Sequence, residues 1–395
     1  MEQKIKRKSR LWHLAWIVPL LVVDFFLVRW LASRQQTHLE VDAALALATN
    51  EVVEADVGPP PPPPPIWQFL TPPTPQQGLL TPDEPGVLQP TGSGRLESAK
   101  FGSTRTGQRN GKLFPVFHEG VDIAATERDR KGAATDPVFA VADGRVAFIN
   151  SIAGNSSYGK YIVLEHPDPS LGVIPQRDGT EVPATIYTLY AHLADIRFGI
   201  RSGMEVKAGD IIGTMGATSN TRPPIPLNRS HLHWEIGLML NGRYDRRSRE
   251  MKAIPDFGNY NGQNLFGLDP LDFYANHAND PGLTMAAYLE KLEPAYEVVL
   301  RGKTPNFFSR YPALWKGEPP DGSPIWLAVS EGGLPIAGRN ATEEEKVKIG
   351  NARHVVISVH TPVLGRNSRG YISQGTAGKW QFTEKGKQWA ELLFY

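Results

Sequence analysis

Between residues 101 and 245 short β-rich runs alternate with Gly, Pro and Asp turns, and this alternation restricts the fold more than any other feature of the chain. Candidate strands fall at 121–125, 137–142, 144–151, 161–166, 185–191, 211–215 and 231–240. β-Branched and aromatic residues at such spacing build an all-β domain. Asp143-Gly144 carries a hairpin-turn signal. No helix of ordinary length is expected between 114 and 245, because the apolar residues lack a 3.6-residue period.

On a strand, side chains alternate between faces, so His231 and His233 share one face and Leu232 and Trp234 the other. Two imidazoles side by side can serve one metal if partners arrive from elsewhere. His118 with Asp122, and His192 in Tyr190-Ala-His-Leu193, are the nearest candidates in kind. Zn²⁺ accepts His nitrogen and carboxylate oxygen, and catalytic zinc keeps three protein ligands and one open position. On a regular strand positions 118 and 122 lie ~13 Å apart, so they can share a metal only if the chain bends, and Gly120 permits that.

Composition removes alternatives. The chain has no cysteine, which excludes disulfides, thiolate metal sites and cysteine nucleophiles. Lys plus Arg (42) balances Asp plus Glu (41), so no global charge argues for nucleic acid.

The N-terminus reads differently. Lys4, Lys6, Arg7, Lys8 and Arg10 precede an apolar run over 11–31, interrupted at His13, Pro19, Asp24 and Arg29. A bilayer-spanning helix needs about 20 such residues. Residues 1–33 are therefore expected to be a cytoplasmic tail and uncleaved single-pass anchor, with the rest outside. A cleaved signal peptide and a buried soluble helix are the alternatives. A short helix is expected over 38–57. Residues 34–100 form a Pro-rich linker, with seven consecutive prolines at 59–65 favouring an extended spacer.

The motifs resemble, in order, the M23 family of zinc peptidases, the lysostaphin/LytM-type peptidoglycan endopeptidases. They are His118-Glu-Gly-Val-Asp122-Ile-Ala, Asp136-Pro-Val-Phe-Ala-Val-Ala-Asp-Gly-Arg-Val, Tyr158-Gly-Lys-Tyr-Ile-Val-Leu-Glu-His166, Tyr190-Ala-His192-Leu, Val206-Lys-Ala-Gly-Asp-Ile-Ile-Gly213 and Ser230-His231-Leu-His233-Trp-Glu-Ile236. A lone His-x-His is weak; the ordered set is specific, and it covers residues 101–275. The resemblance implies a mainly β, LytM-like antiparallel catalytic domain holding one Zn²⁺ through His118, Asp122 and His233. It implies that His192 and His231 are catalytic, moving protons and stabilising the oxyanion. It implies hydrolysis of peptidoglycan peptides in the periplasm or cell-wall space. A wall-binding regulator that activates another hydrolase is the alternative, and a scaffold of a wall-remodelling machine a third.

Two stretches depart from the family: 217–230 is long, and a Pro/Gly-rich insertion separates His166 from Ala184. Arg222 and Arg229 in the first, and Tyr158 beside the cleft, are candidate substrate contacts; solvated loop charges are the competing reading for the arginines. Glu119 and Glu235 read as structural or exposed, with Glu235 on the face of His233 and so placed to support it. His166 reads as a surface residue beyond its strand. Residues 276–395 read as an α+β accessory region that binds wall or a partner protein or packs over the cleft. It has helices expected at 284–292, from Thr342, and at 383–394, and a strand at 354–360.

Overall fold

The turn-punctuated runs do fold as antiparallel strands. A computed structural model describes residues 70–395 apart from 110–111, 254 and 304. The expected anchor over 1–33, the helix over 38–57 and the proline run lie outside the described residues. Among the described residues no helix is long and apolar enough to cross a membrane.

β1 (Thr104–Arg109) and β2 (Lys112–Phe117) form a hairpin. The strands that follow are β3 (Val121–Ala124), β4 (Pro137–Phe139), β5 (Gly144–Asn150), β6 (Lys160–Pro175), β7 (Glu181–Leu193), β8 (Asp195–Ile196), β9 (Glu205–Val206), β10 (Ile211–Thr214), β11 (His231–Met239) and β12 (Leu265–Leu268). Seven of them make one sheet, ordered β12-β11-β7-β6-β5-β9, with β3 added against β11; β4-β10-β8 make a second, smaller sheet.

β11 organises the large sheet. Along one edge it pairs β3 and then β12, and along the other β7, all antiparallel. Its period-2 pattern separates two environments. Leu232, Trp234, Ile236 and Leu238 are fully buried in the main apolar core, while His231, His233 and Glu235 face the other way. On that second face Tyr187, Leu189 and Ala191 of β7 form a smaller apolar cluster with Tyr161 and Val163.

Three expectations need correction. The stretch between His166 and Ala184 is no loose insertion: β6 and β7 continue through it as one long hairpin, with a register shift between Asp168 and Val173. His166 is accordingly buried, its Nδ1 2.8 Å from the Asp143 carbonyl oxygen and its Nε2 2.8 Å from Thr188 Oγ1. Asp143-Gly144 makes no hairpin, because β4 pairs with β10 while β5 pairs with β6. Residues 70–100, within the Pro-rich segment, pack onto the sheet: Leu79, Val87 and Leu88 are buried, and the Gln89 amide donates to the Asp122 carbonyl.

After β12, β13 (Tyr296–Leu300), β14 (Ile325–Val329), β15 (Pro335–Asn340) and β16 (His354–Val359) form a four-stranded antiparallel sheet ordered β15-β14-β13-β16, followed by the hairpin β17 (Ile372–Gln374) and β18 (Trp380–Phe382). The helices are α1 (Tyr244–Glu250), α2 (Pro270–Asn279), α3 (Met285–Lys291), α4 (Asn306–Arg310), α5 (Glu343–Ile349), α6 (Thr361–Leu364) and α7 (Glu384–Phe394). Thr284, Thr342 and Thr383 each cap one, and Thr342 completes a capping box with Glu345. One apolar cluster runs from Leu79 to Leu393, across the sequence boundary at 275. Polar ties cross it too: Tyr311 Oη accepts from the Met239 amide and Asn241 Nδ2 donates to Leu392 O.

Candidate metal centre

β2 ends at Phe117 and β3 starts at Val121, so the intervening turn supplies the bend that His118 and Asp122 require. Gly120 is needed for close approach, since a Cβ there would lie 2.3 Å from the Trp234 carbonyl oxygen. The register then sets Asp122 directly opposite His233 across β3 and β11. His118 Nε2, Asp122 Oδ1 and His233 Nδ1 lie 3.0–3.1 Å from one another. Ligand atoms in a tetrahedral site with bonds of ~2.0–2.1 Å stand about 3.3 Å apart, so this triangle suits zinc.

Each imidazole is oriented by what its other nitrogen meets. His118 Nδ1 donates to the Lys100 carbonyl at 2.8 Å, which leaves the Nε2 lone pair inward. His233 Nε2 donates to Glu235 Oε1 at 2.9 Å, which frees Nδ1. Glu235 is in turn held by Tyr158 Oη at 2.7 Å and Tyr187 Oη at 3.0 Å. It is fully buried, and its position beneath His233 matches the role its spacing suggested.

His231 and His192 stand beside the triangle. His231 Nδ1 donates to the Arg229 carbonyl at 2.8 Å. Its Nε2 has no hydrogen-bond partner among the described residues and lies 3.5 Å from Asp122 Oδ2. His192 Nδ1 donates to the Thr218 carbonyl at 2.9 Å. Regular alternation would turn His192 away, because Ala191 is the residue opposite His233. A left-handed backbone at φ 60° breaks the alternation and brings its ring to 4.8 Å from that of His231.

The electrostatics suit metal uptake. Burial lowers His118 to about 4. Burial opposes ionisation of Asp122, but Arg105 and His118 outweigh it and hold the carboxyl well below its usual range. Burial also pushes His233 down, yet hydrogen bonds to Asp122 and Glu235 prevail and raise it to about 9. Burial, with neighbouring imidazoles, keeps His192 and His231 neutral. All five centre residues are closed off, none more than 8% exposed.

Sequence reading missed two arginines. Arg105 of β1 donates through Nη2 to Asp122 Oδ2 and to the Ser98 carbonyl. Arg369, far along the chain, pairs with Glu119 next to His118. The candidate substrate contacts are spread out. Tyr158 sits behind His233, its ring 5.5 Å away. Arg229 Nη2 donates to the Pro90 carbonyl at 3.0 Å. Arg222 is exposed in its loop.

A His–Asp–His donor set on an antiparallel sheet, with two further imidazoles beside it, defines a metallopeptidase-like centre. The chain belongs to peptidase family M23: the model of Peptidase family M23 matches residues 116–244. The Murein hydrolase activator NlpD of Salmonella dublin is 30% identical over 158 residues, 38% of this chain and 32% of that protein. The chain thus spans about a third of the length of that relative. Lipoprotein NlpD of Yersinia enterocolitica is 31% identical over 108 residues, 27% of this chain and 84% of that protein. Among solved structures, the catalytic domain of lysostaphin from Staphylococcus simulans is similar at 22% identity and a TM-score of 0.24, over 44% of this chain and 87% of that one.

Proposed function

We propose that the chain is a zinc-dependent endopeptidase that hydrolyses peptide bonds in peptidoglycan, with His118, Asp122 and His233 as metal ligands and His192 and His231 as catalytic residues. One observation carries the reading. Three donor atoms of His118, Asp122 and His233 converge, and beside them stands His231 Nε2, which has no hydrogen-bond partner among the described residues. Bound zinc would polarise the scissile carbonyl and acidify the attacking water. His231 Nε2 takes a proton from that water as its oxygen bonds to the carbonyl carbon. As the C–N bond breaks, His231 passes the proton to the departing amine. His192, its ring 4.8 Å from that of His231 and its Nδ1–H committed to the Thr218 carbonyl, accepts a hydrogen bond from the attacking water through Nε2 and orients it. Arg222 and Arg229 remain proposed substrate contacts, while Tyr158, a candidate contact by sequence, instead supports His233 through Glu235.

The reading includes an N-terminal membrane anchor at 1–33, a Pro-rich linker that ends before the packed segment beginning at residue 70, a peptidase domain to residue 275, an accessory region at 276–395 and an envelope location facing the wall. The basic flank and apolar run of the N-terminus support the anchor. A second reading, an activator of another wall hydrolase, is favoured by two observations. The Salmonella dublin relative, 30% identical, is named as a murein hydrolase activator, and the centre is closed, with Arg105 on Asp122. Mass analysis of muropeptides after digestion with the full chain, with and without zinc, separates the two. Zinc-dependent new termini support the peptidase; intact muropeptides beside a stimulated second hydrolase support the activator.

A further inference from the structure

The turn carrying His118 is gripped by a residue from the region beyond 276. Arg369 is 7% exposed. Its Nη1 donates to Glu119 Oε1 at 2.6 Å and its Nε to the Gly332 carbonyl at 2.6 Å. Its guanidinium carbon lies 4.7 Å from the Phe117 ring and 4.8 Å from the Phe266 ring. Phe117 and Glu119 flank His118 in sequence, and Phe266 belongs to β12, the strand beside β11. One side chain therefore contacts both neighbours of a metal ligand and the strand next to the one that carries another. Gly332 brings the β14–β15 turn to the same place: a Cβ there would lie 3.3 Å from Phe101 and 3.2 Å from the Gly267 carbonyl.

A buried guanidinium is expensive to desolvate and is weak support for stability by itself. Its planar fork and its stacking between two rings instead confer orientation. The His118 backbone is held at both polar groups, its amide donating to the Ser103 carbonyl and its carbonyl accepting from the Gly102 amide. The Lys100 carbonyl on its ring and Arg369 through Glu119 are further ties on the same turn.

We infer that Arg369 is a positioning residue for the metal ligand His118, acting through Glu119, so that the region beyond residue 276 completes the metal centre. This rests on the zinc reading above. The test uses the full chain, with Zn²⁺ affinity measured against a competing chelator, the absorption spectrum of the Co²⁺-loaded protein, and thermal unfolding. Arg369→Met and Glu119→Ala should each weaken zinc about tenfold, as loss of groups that orient metal ligands does, and alter the Co²⁺ band. Arg339→Met serves as control: it breaks the two-bonded Arg339–Glu345 pair in the same region. It should lower the unfolding temperature while leaving both metal readouts at wild-type values. If Arg369→Met does not fold, Glu119→Ala decides. Wild-type zinc affinity and Co²⁺ spectrum in the folded variants would overturn the inference. A wild-type chain that takes up no zinc would instead sink the metal reading beneath it.

Discussion

The two larger sheets bury different things. The four-stranded sheet buries Val298, Leu300, Leu327 and Val329, side chains that need nothing but area removed from water. The seven-stranded sheet and its adjoining turn bury His118, Asp122, His192, His231, His233 and Glu235. Buried polar groups cost free energy unless each is paired. Part of the pairing lies within the sheet, His233 with Asp122 and Glu235 and Glu235 with Tyr187; the rest comes from outside it: the carbonyls of Lys100, Thr218 and Arg229, the guanidinium of Arg105, and Arg369 through Glu119. The apolar sheet stabilises; the polar one is a preorganised donor set that its surroundings keep in place.

Substitutions should separate the two roles, beginning where the effect on the centre is largest. Asp122→Ala removes one of the three proposed ligands and should reduce zinc stoichiometry towards zero by metal analysis, with wall-peptide hydrolysis lost. Unchanged stoichiometry would show that Asp122 is not a ligand. His231→Ala should keep zinc but slow hydrolysis by about 10²–10⁴-fold, the usual worth of general acid–base help; retained turnover would remove His231 from the proton path. Glu235→Ala frees the His233 tautomer and leaves two tyrosine hydroxyls unpaired. It should weaken zinc about 10–100-fold in a chelator competition.

The pH dependence has a definite sign. His233 is raised from 6.5 to about 9, while burial leaves His118 neutral above about 4. Zinc must therefore displace one proton from His233 at neutral pH, and apparent affinity should climb about tenfold per pH unit until His233 titrates. In the metal-free protein the same raised value contributes stability that is full below pH 6.5 and lost as pH rises through about 9. A flat affinity between pH 7 and 9 would contradict this. Leu327→Ala marks the other end of the comparison. It should cost about 2–5 kcal/mol in unfolding experiments and leave zinc affinity unchanged, since Leu327 contributes area and no orientation.

Periodicity made β11 legible with both of its faces, and the seven candidate strands all appear, although the one expected at 137–142 shortens to Pro137–Phe139 and the one at 161–166 runs on to Pro175. The helix start at Thr342 was legible for a similar reason, because capping acts over three or four residues. His166 was misread because a Pro/Gly-rich stretch resembles a loop. There β6 and β7 pair around a register shift instead, and no local signal announces it.

The sequence by itself determined the residue types of the metal centre and their strand faces, since period-2 alternation and a glycine at position 120 are local properties. Only the tertiary structure decided which atoms converge, which nitrogen of each imidazole is free, and that Arg105 and Arg369 belong to the centre. Arg105 stands 17 residues from Asp122, and Arg369 stands 250 from Glu119. Long-range pairing of this kind is set by how sheets and turns pack, and no spacing along the chain encodes it.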